Sequence, residues 1–114
     1  MKGQAFKKRL NFALQGLYLA FCRERSVRSH LIAGSGVIMV LLWTRPPAIW
    51  WAITILTVGM VLMAELMNAA LETLADHLHP ERHPEIGAAK DIAAGAVLIA
   101  AIVAVVVAIA FLLR

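Results

Sequence analysis

The run from Ile92 to Leu113 contains no charged residue, and this constrains the fold more than any other feature of the chain. An α-helix rises about 1.5 Å per residue, so a run of this length crosses the roughly 30 Å hydrocarbon layer of a bilayer. Two further apolar segments precede it, Leu31 to Thr44 and Ala48 to Ala64, divided by Arg45-Pro46-Pro47. Consecutive prolines end one helix, and Pro47 suits the opening turn of the next. Trp43, Trp50 and Trp51 flank that turn as an interfacial aromatic belt. The first segment is short and is expected to extend backward past His30 or to tilt little. With 61% hydrophobic and 16% charged residues among 114 and a mean hydropathy of +0.79, the chain is too apolar for a soluble domain. The expected fold is an all-α membrane protein forming one domain over 1–114, with a surface helix at about 4–25 and spans at about 29–44, 48–76 and 86–113. Three spans leave most of their surface facing outward, so self-association is expected.

Ahead of the spans, Phe6, Leu10, Ala13, Leu14, Leu17 and Phe21 recur at helical spacing, with Lys7, Lys8, Arg9, Asn11 and Gln15 off their face. An apolar stripe beside basic residues suits an amphipathic helix lying in the membrane surface. Phe12 and Leu19 blur the stripe, leaving open that protein covers part of the second face. The stretch from Arg23 to His30 is charged and hydroxylated and is read as a turn or helix end. The N-terminus lacks both the continuous apolar core and the small-residue cleavage site of a signal peptide. Cys22 is the only cysteine, which excludes an intrachain disulfide and a CxxC motif. Seven Lys and Arg precede the first span, and Arg82 and Lys90 lie in the second connection, against Arg45 and Arg114 elsewhere. Nine against two puts the N-terminus and the second connection in the cytoplasm. The net charge of +4 suits anionic lipid headgroups, and no nucleic-acid motif is present.

The middle span carries the chemistry. Glu65, Asn68, Glu72 and Asp76 stand at i, i+3, i+7 and i+11, within roughly 80° of one another on a helix. Ionisable groups inside an apolar span are costly and mark function by default. Carboxylates with a lysine, Lys90, suit a hard cation and a phosphate, because Mg²⁺ takes one or two carboxylates plus phosphate oxygens. Phosphoryl transfer needs such a metal, a cation against the developing charge and a carboxylate at the attacking hydroxyl; Glu65, Glu72 and Lys90 could fill those roles. No Walker A or protein-kinase glycine loop is present. The histidines of HLHPERH match no strong zinc spacing. Plainer readings exist: Asn68 as an interhelical hydrogen bond, Lys90-Asp91 as an interfacial pair, Glu24 as a surface ion pair. Intramembrane acids also suit an ion-coupled transporter, and a structural trimer is a third possibility.

Glu65-Leu66-Met67-Asn68-Ala69-Ala70-Leu71-Glu72 with Asp76 resembles the E-x-x-N-(S/T/A)-A-(I/L)-E signature of the small prokaryotic diacylglycerol kinases, integral membrane lipid kinases. Gly87-Ala88-Ala89-Lys90-Asp91, the alanine-rich Ala93 to Leu98, Gly16-Leu17, and Glu24 with Arg28 extend the resemblance over nearly the whole chain. It implies Glu65 as catalytic base, Glu24 and Glu72 as Mg²⁺ ligands, and Lys90 and Asp91 as ATP contacts. Glu81, His83 and Asp76 are implied as further nucleotide contacts, and Asn68, Arg28 and Ala94 as site support. It further implies a homotrimer with sites shared between protomers, in a bacterial inner membrane, with the site on the cytoplasmic side. The expected acceptor is diacylglycerol, giving phosphatidic acid. Ala88 replaces the Arg, and Ala93-Ala94 the Gly-Ser, usual in the enterobacterial type, and AKDIAAGAVL is more similar to the Gram-positive type. Several of the latter phosphorylate undecaprenol, which is therefore the alternative acceptor.

Overall fold

The computed structural model describes Gly3 and residues 5–114. Its four α-helices are α1 (Phe6–Arg23), α2 (Arg25–Thr44), α3 (Ala48–Leu78) and α4 (Pro84–Leu113). Gln4, the expected start of the surface helix, and Lys2, one of the counted cations, lie outside the described residues. Helices α2, α3 and α4 are each long and apolar enough to cross a membrane. The 20 residues of α2 reach about 30 Å, the thickness of the hydrocarbon layer. The 31 of α3 and 30 of α4 reach about 45 Å, so both overhang it by several turns.

The corner between α1 and α2 is far tighter than the charge and hydroxyls of Arg23 to His30 suggest. Only Glu24 leaves the helical region, at φ −105° and ψ 110°, and α2 has begun by Arg25. The last turn of α1 would otherwise leave carbonyls without partners. Arg28 satisfies two of them, its Nη1 donating to Phe21 O at 2.8 Å and Cys22 O at 3.0 Å. At the other end of α2, Arg45 adopts a left-handed cap (φ 49°, ψ 58°), its N–H donating to Leu41 O at 2.9 Å. Pro46 and Pro47 then carry the chain into α3. Helix α4 opens at Pro84, before the expected Ile86, because a proline at the first helical position loses no hydrogen bond. His83 caps it, Nδ1 accepting from Glu85 N–H at 3.1 Å.

Helix α3 is central, lying antiparallel to α4 along its length and crossing α2. Trp50 meets Phe111 edge-on at 5.4 Å at one end of the α3–α4 pair, and Asp76 meets Lys90 at the other. A Cβ at Gly34 of α2 would sit 3.2 Å from Val58 Cγ1 of α3, so the missing side chain is what lets these helices approach. The core is small, with Val27, Leu41, Val61, Ala69 and Ala100 buried alongside Thr54, Thr57 and Glu65. Thr57 Oγ1 donates to Ile53 O at 2.7 Å, so its hydroxyl is satisfied within α3. Helix α1 buries no residue; Phe6, Leu10, Leu14, Leu17 and Phe21 are all exposed.

Candidate active site

Depth along α3 orders the polar residues. Counted from Trp50 at the aromatic belt, Glu65 lies about 22 Å along the helix, Glu72 about 33 Å and Asp76 about 39 Å. Glu65 thus sits just inside a 30 Å hydrocarbon layer, Glu72 at headgroup level and Asp76 in water. Exposure within the protomer follows the same gradient: Glu65 is 7% exposed, Glu72 half-buried and Asp76 exposed.

A buried carboxylate needs partners, and Glu65 finds them on α2. Ser26 Oγ donates to Glu65 Oε2 at 3.0 Å, and His30 Nδ1 lies 3.6 Å from Glu65 Oε1. One turn further along α3, Asn68 Nδ2 donates to Glu72 Oε1 at 3.3 Å. The amide's other atom, Asn68 Oδ1, is buried without a hydrogen-bond partner. A buried acceptor left this way costs about 1–3 kcal/mol, and in a native protein it marks a place where a ligand, ion or water completes the set.

Beyond the stripe, Lys90 of α4 forms an ion pair with Asp76 of α3. The two lie at the edge of an open cleft of about 470 Å³ lined also by His79, Glu81, His83 and Gly87. The loop wall is held by its own histidines: His79 Nδ1 bonds the Glu81 carbonyl at 2.9 Å, and the His79 and His83 rings meet edge-on at 5.2 Å. Asp91 and Ala94 are exposed on α4.

Glu24, at the corner between α1 and α2, faces a different side of α3. It lines a second, larger groove of about 940 Å³ between α1 and α3, walled by Gly16, Leu17, Ala69, Ala70, Thr73 and neighbours. Those α3 residues are rotated about a quarter to a third of a turn from the acidic stripe. Arg28 serves the α1–α2 corner rather than the stripe. Within one protomer, then, Glu65, Asn68, Glu72, Asp76 and Lys90 form a continuous polar row, and Glu24 opens on an adjoining face. Among the described residues, no group of three or more His, Cys, Asp or Glu gathers closely enough to hold a metal. Sequence pattern does not pick out Ser26 and His30, because Arg23 to His30 reads as a turn or helix end and gives no helical register to connect them.

A family model for prokaryotic diacylglycerol kinase matches residues 11–112. The chain is 40% identical over 97 residues to a diacylglycerol kinase of Synechocystis, covering 84% of this chain and 55% of that protein, so it spans about half the length of that relative. It is 33% identical over 99 residues to the diacylglycerol kinase of Escherichia coli, covering 87% and 81% of the two chains. It is 31% identical over 102 residues to the undecaprenol kinase of Bacillus subtilis, covering 90% and 83%.

Proposed function

The chain belongs to the prokaryotic diacylglycerol kinase family, and from that premise we propose that it is a multi-pass membrane lipid kinase moving the γ-phosphate of ATP to a lipid's primary hydroxyl. Diacylglycerol is the proposed acceptor, giving phosphatidic acid; undecaprenol is the second reading, favoured by the likeness to the Bacillus subtilis enzyme. The observation that carries the proposal is the polar row on α3, which runs from the buried Glu65 carboxylate to the exposed Asp76–Lys90 ion pair.

Each residue has a role that its position supports. Glu65 accepts the proton of the lipid hydroxyl as that oxygen attacks phosphorus, because it is the buried carboxylate of the row and lies just inside the hydrocarbon layer, next to the headgroup alcohols. Lys90 offsets charge that builds on the phosphoryl oxygens, and Asp76 holds the ammonium in readiness. Glu81, His83 and Asp91 line the approach of the nucleotide. A Mg²⁺ fits the donor set, since the stripe offers oxygen ligands only and leaves Asn68 Oδ1 buried and unpaired. Glu24 and Glu72 would hold it with phosphate oxygens completing the sphere, and when bound it screens phosphate charge. Because Glu24 and Glu72 occupy different faces around α3 within one protomer, their pairing at one ion suits a homotrimer in which neighbouring chains share a site. In the bacterial inner membrane, with the overhang of α3 and α4 in the cytoplasm, α1 lies on the cytoplasmic surface with its unburied apolar residues in lipid.

The decisive experiment follows radiolabel from [γ-³²P]ATP into diacylglycerol and undecaprenol in mixed micelles. Label should appear in a lipid phosphate, disappear on chelation and return with added Mg²⁺. Absence of label from both lipids overturns the proposal.

A further inference from the structure

We infer that Ser26 and His30 form a two-point clamp that positions the Glu65 carboxylate for proton transfer, an inference that rests on Glu65 being the base. Because α2 begins at Arg25, Ser26 and His30 stand at i and i+4, one above the other on a single helix face. That face meets α3 at Glu65. Ser26 Oγ donates to Glu65 Oε2 at 3.0 Å, and His30 Nδ1 stands 2.8 Å from Ser26 O and 3.6 Å from Glu65 Oε1. A carbonyl oxygen only accepts, so Nδ1 carries a proton and donates it to Ser26 O, and its 3.6 Å approach to Glu65 Oε1 is a polar contact and not a second hydrogen bond. Each oxygen of the carboxylate therefore has its own neighbour on α2, and the two neighbours are tied to each other.

The clamp answers a physical difficulty of the site. The terminal torsion of a glutamate is broad, and a base must meet its proton within about 3 Å. Free in a bilayer interface, the Glu65 carboxylate would sample orientations that do not face the acceptor hydroxyl. One hydrogen bond from Ser26 and one close polar neighbour at His30 narrow that freedom, and a carboxylate has about four lone-pair sites, so acceptor capacity is left for the substrate proton. Neither Ser26 nor His30 lines the cleft beside Asp76 and Lys90, so both act on the base and not on nucleotide binding. They are positioning residues.

The test is steady-state kinetics with thermal unfolding, on full-length chains in detergent. Ser26→Ala and His30→Ala should each lower kcat about 10- to 100-fold, as expected for loosening a charged hydrogen-bonded group that must be aligned, with KM for ATP unchanged. Ser26→Thr keeps the hydroxyl, and His30→Asn puts an amide N–H where Nδ1 stood, so both should recover most of kcat. His30→Gln carries the same amide one bond further out and should stay low. The clamp is overturned if the alanine chains keep kcat, or lose it only in proportion to lost stability, or if the conservative chains recover nothing. Should an alanine chain fail to fold, equal kcat for His30→Asn and His30→Gln overturns it as well. Glu65→Gln separates the two levels: an active Glu65→Gln removes the base assignment itself, whereas an inactive one beside fully active Ser26→Ala and His30→Ala removes the clamp alone.

Discussion

The two ends of the α3–α4 pair are built from the same helices in the same antiparallel contact, yet they do opposite things. At one end Trp50 and Phe111 meet edge-on at 83° and the Arg114 guanidinium lies 3.9 Å over the Phe111 ring, so the gap between the helices is closed by aromatic surface. At the other, Asp76 and Lys90 face each other across an open cleft. The difference lies in where each end falls relative to the bilayer. The aromatic end lies at an interface where ring bodies rest in the acyl region and the polar tips in water. The charged end belongs to the overhang, where solvation makes unpaired carboxylates and ammonium groups inexpensive. Glu65 is the exception that joins them, an acid held just short of the overhang by α2.

The contrast breaks most sharply at Glu65. Glu65→Gln preserves size and the Ser26 contact but removes the proposed base, and kcat should fall about 10²- to 10⁴-fold while ATP still binds; nucleotide titration alongside a turnover assay checks both. Next in size is Lys90→Ala, which should lower kcat/KM for ATP about 10- to 100-fold by removing a charged contact, measured by varying ATP at fixed lipid. Its partner tests whether the pair is structural. Asp76 is 63% exposed at its side chain, and exposed pairs contribute at most about 1 kcal/mol, so Asp76→Asn should barely move the unfolding midpoint while shifting KM for ATP. A large loss of stability would make the charged end a staple like the aromatic one.

What the sequence made legible was whatever is local. The uncharged run after Ile92, the prolines after Arg45 and the register of Glu65 to Asp76 are set by hydropathy, ring chemistry and helical period, each visible within a few residues. Arg23 to His30 misleads because charge and hydroxyls mark both a turn and a helix entering an interface; here only Glu24 breaks the helix. Proline at 84 reads as a breaker from sequence, but at the first helical position it opens α4 instead. The contact of Ser26 with Glu65 spans 39 residues and depends on which face of α2 turns toward α3. That face is decided where Gly34 admits Val58, a packing outcome that no period in the chain announces.

The aromatic end supplies the smaller effects. Phe111 is half-buried and makes one edge contact with Trp50, so Phe111→Ala should cost about 1–2 kcal/mol, less than a fully buried ring and more than an aromatic pair alone. Kinetic constants of the folded fraction should not change, because roughly 40 Å of α3 separates Trp50 from Asp76. Arg114→Ala should cost less still, about 0.5–1 kcal/mol, since a cation over an exposed ring face is partly screened by water. The same guanidinium also donates to Phe111 O at 2.7 Å, capping the last turn of α4, so Arg114→Lys keeps a charge but loses the planar stack. If the lysine chain unfolds at the same midpoint as the parent, charge alone closes that end; if it matches the alanine chain, the stacked guanidinium does. Any fall in kcat in either chain would mean the two ends are coupled through α3 and α4, and that packing at one interface reaches the chemistry at the other.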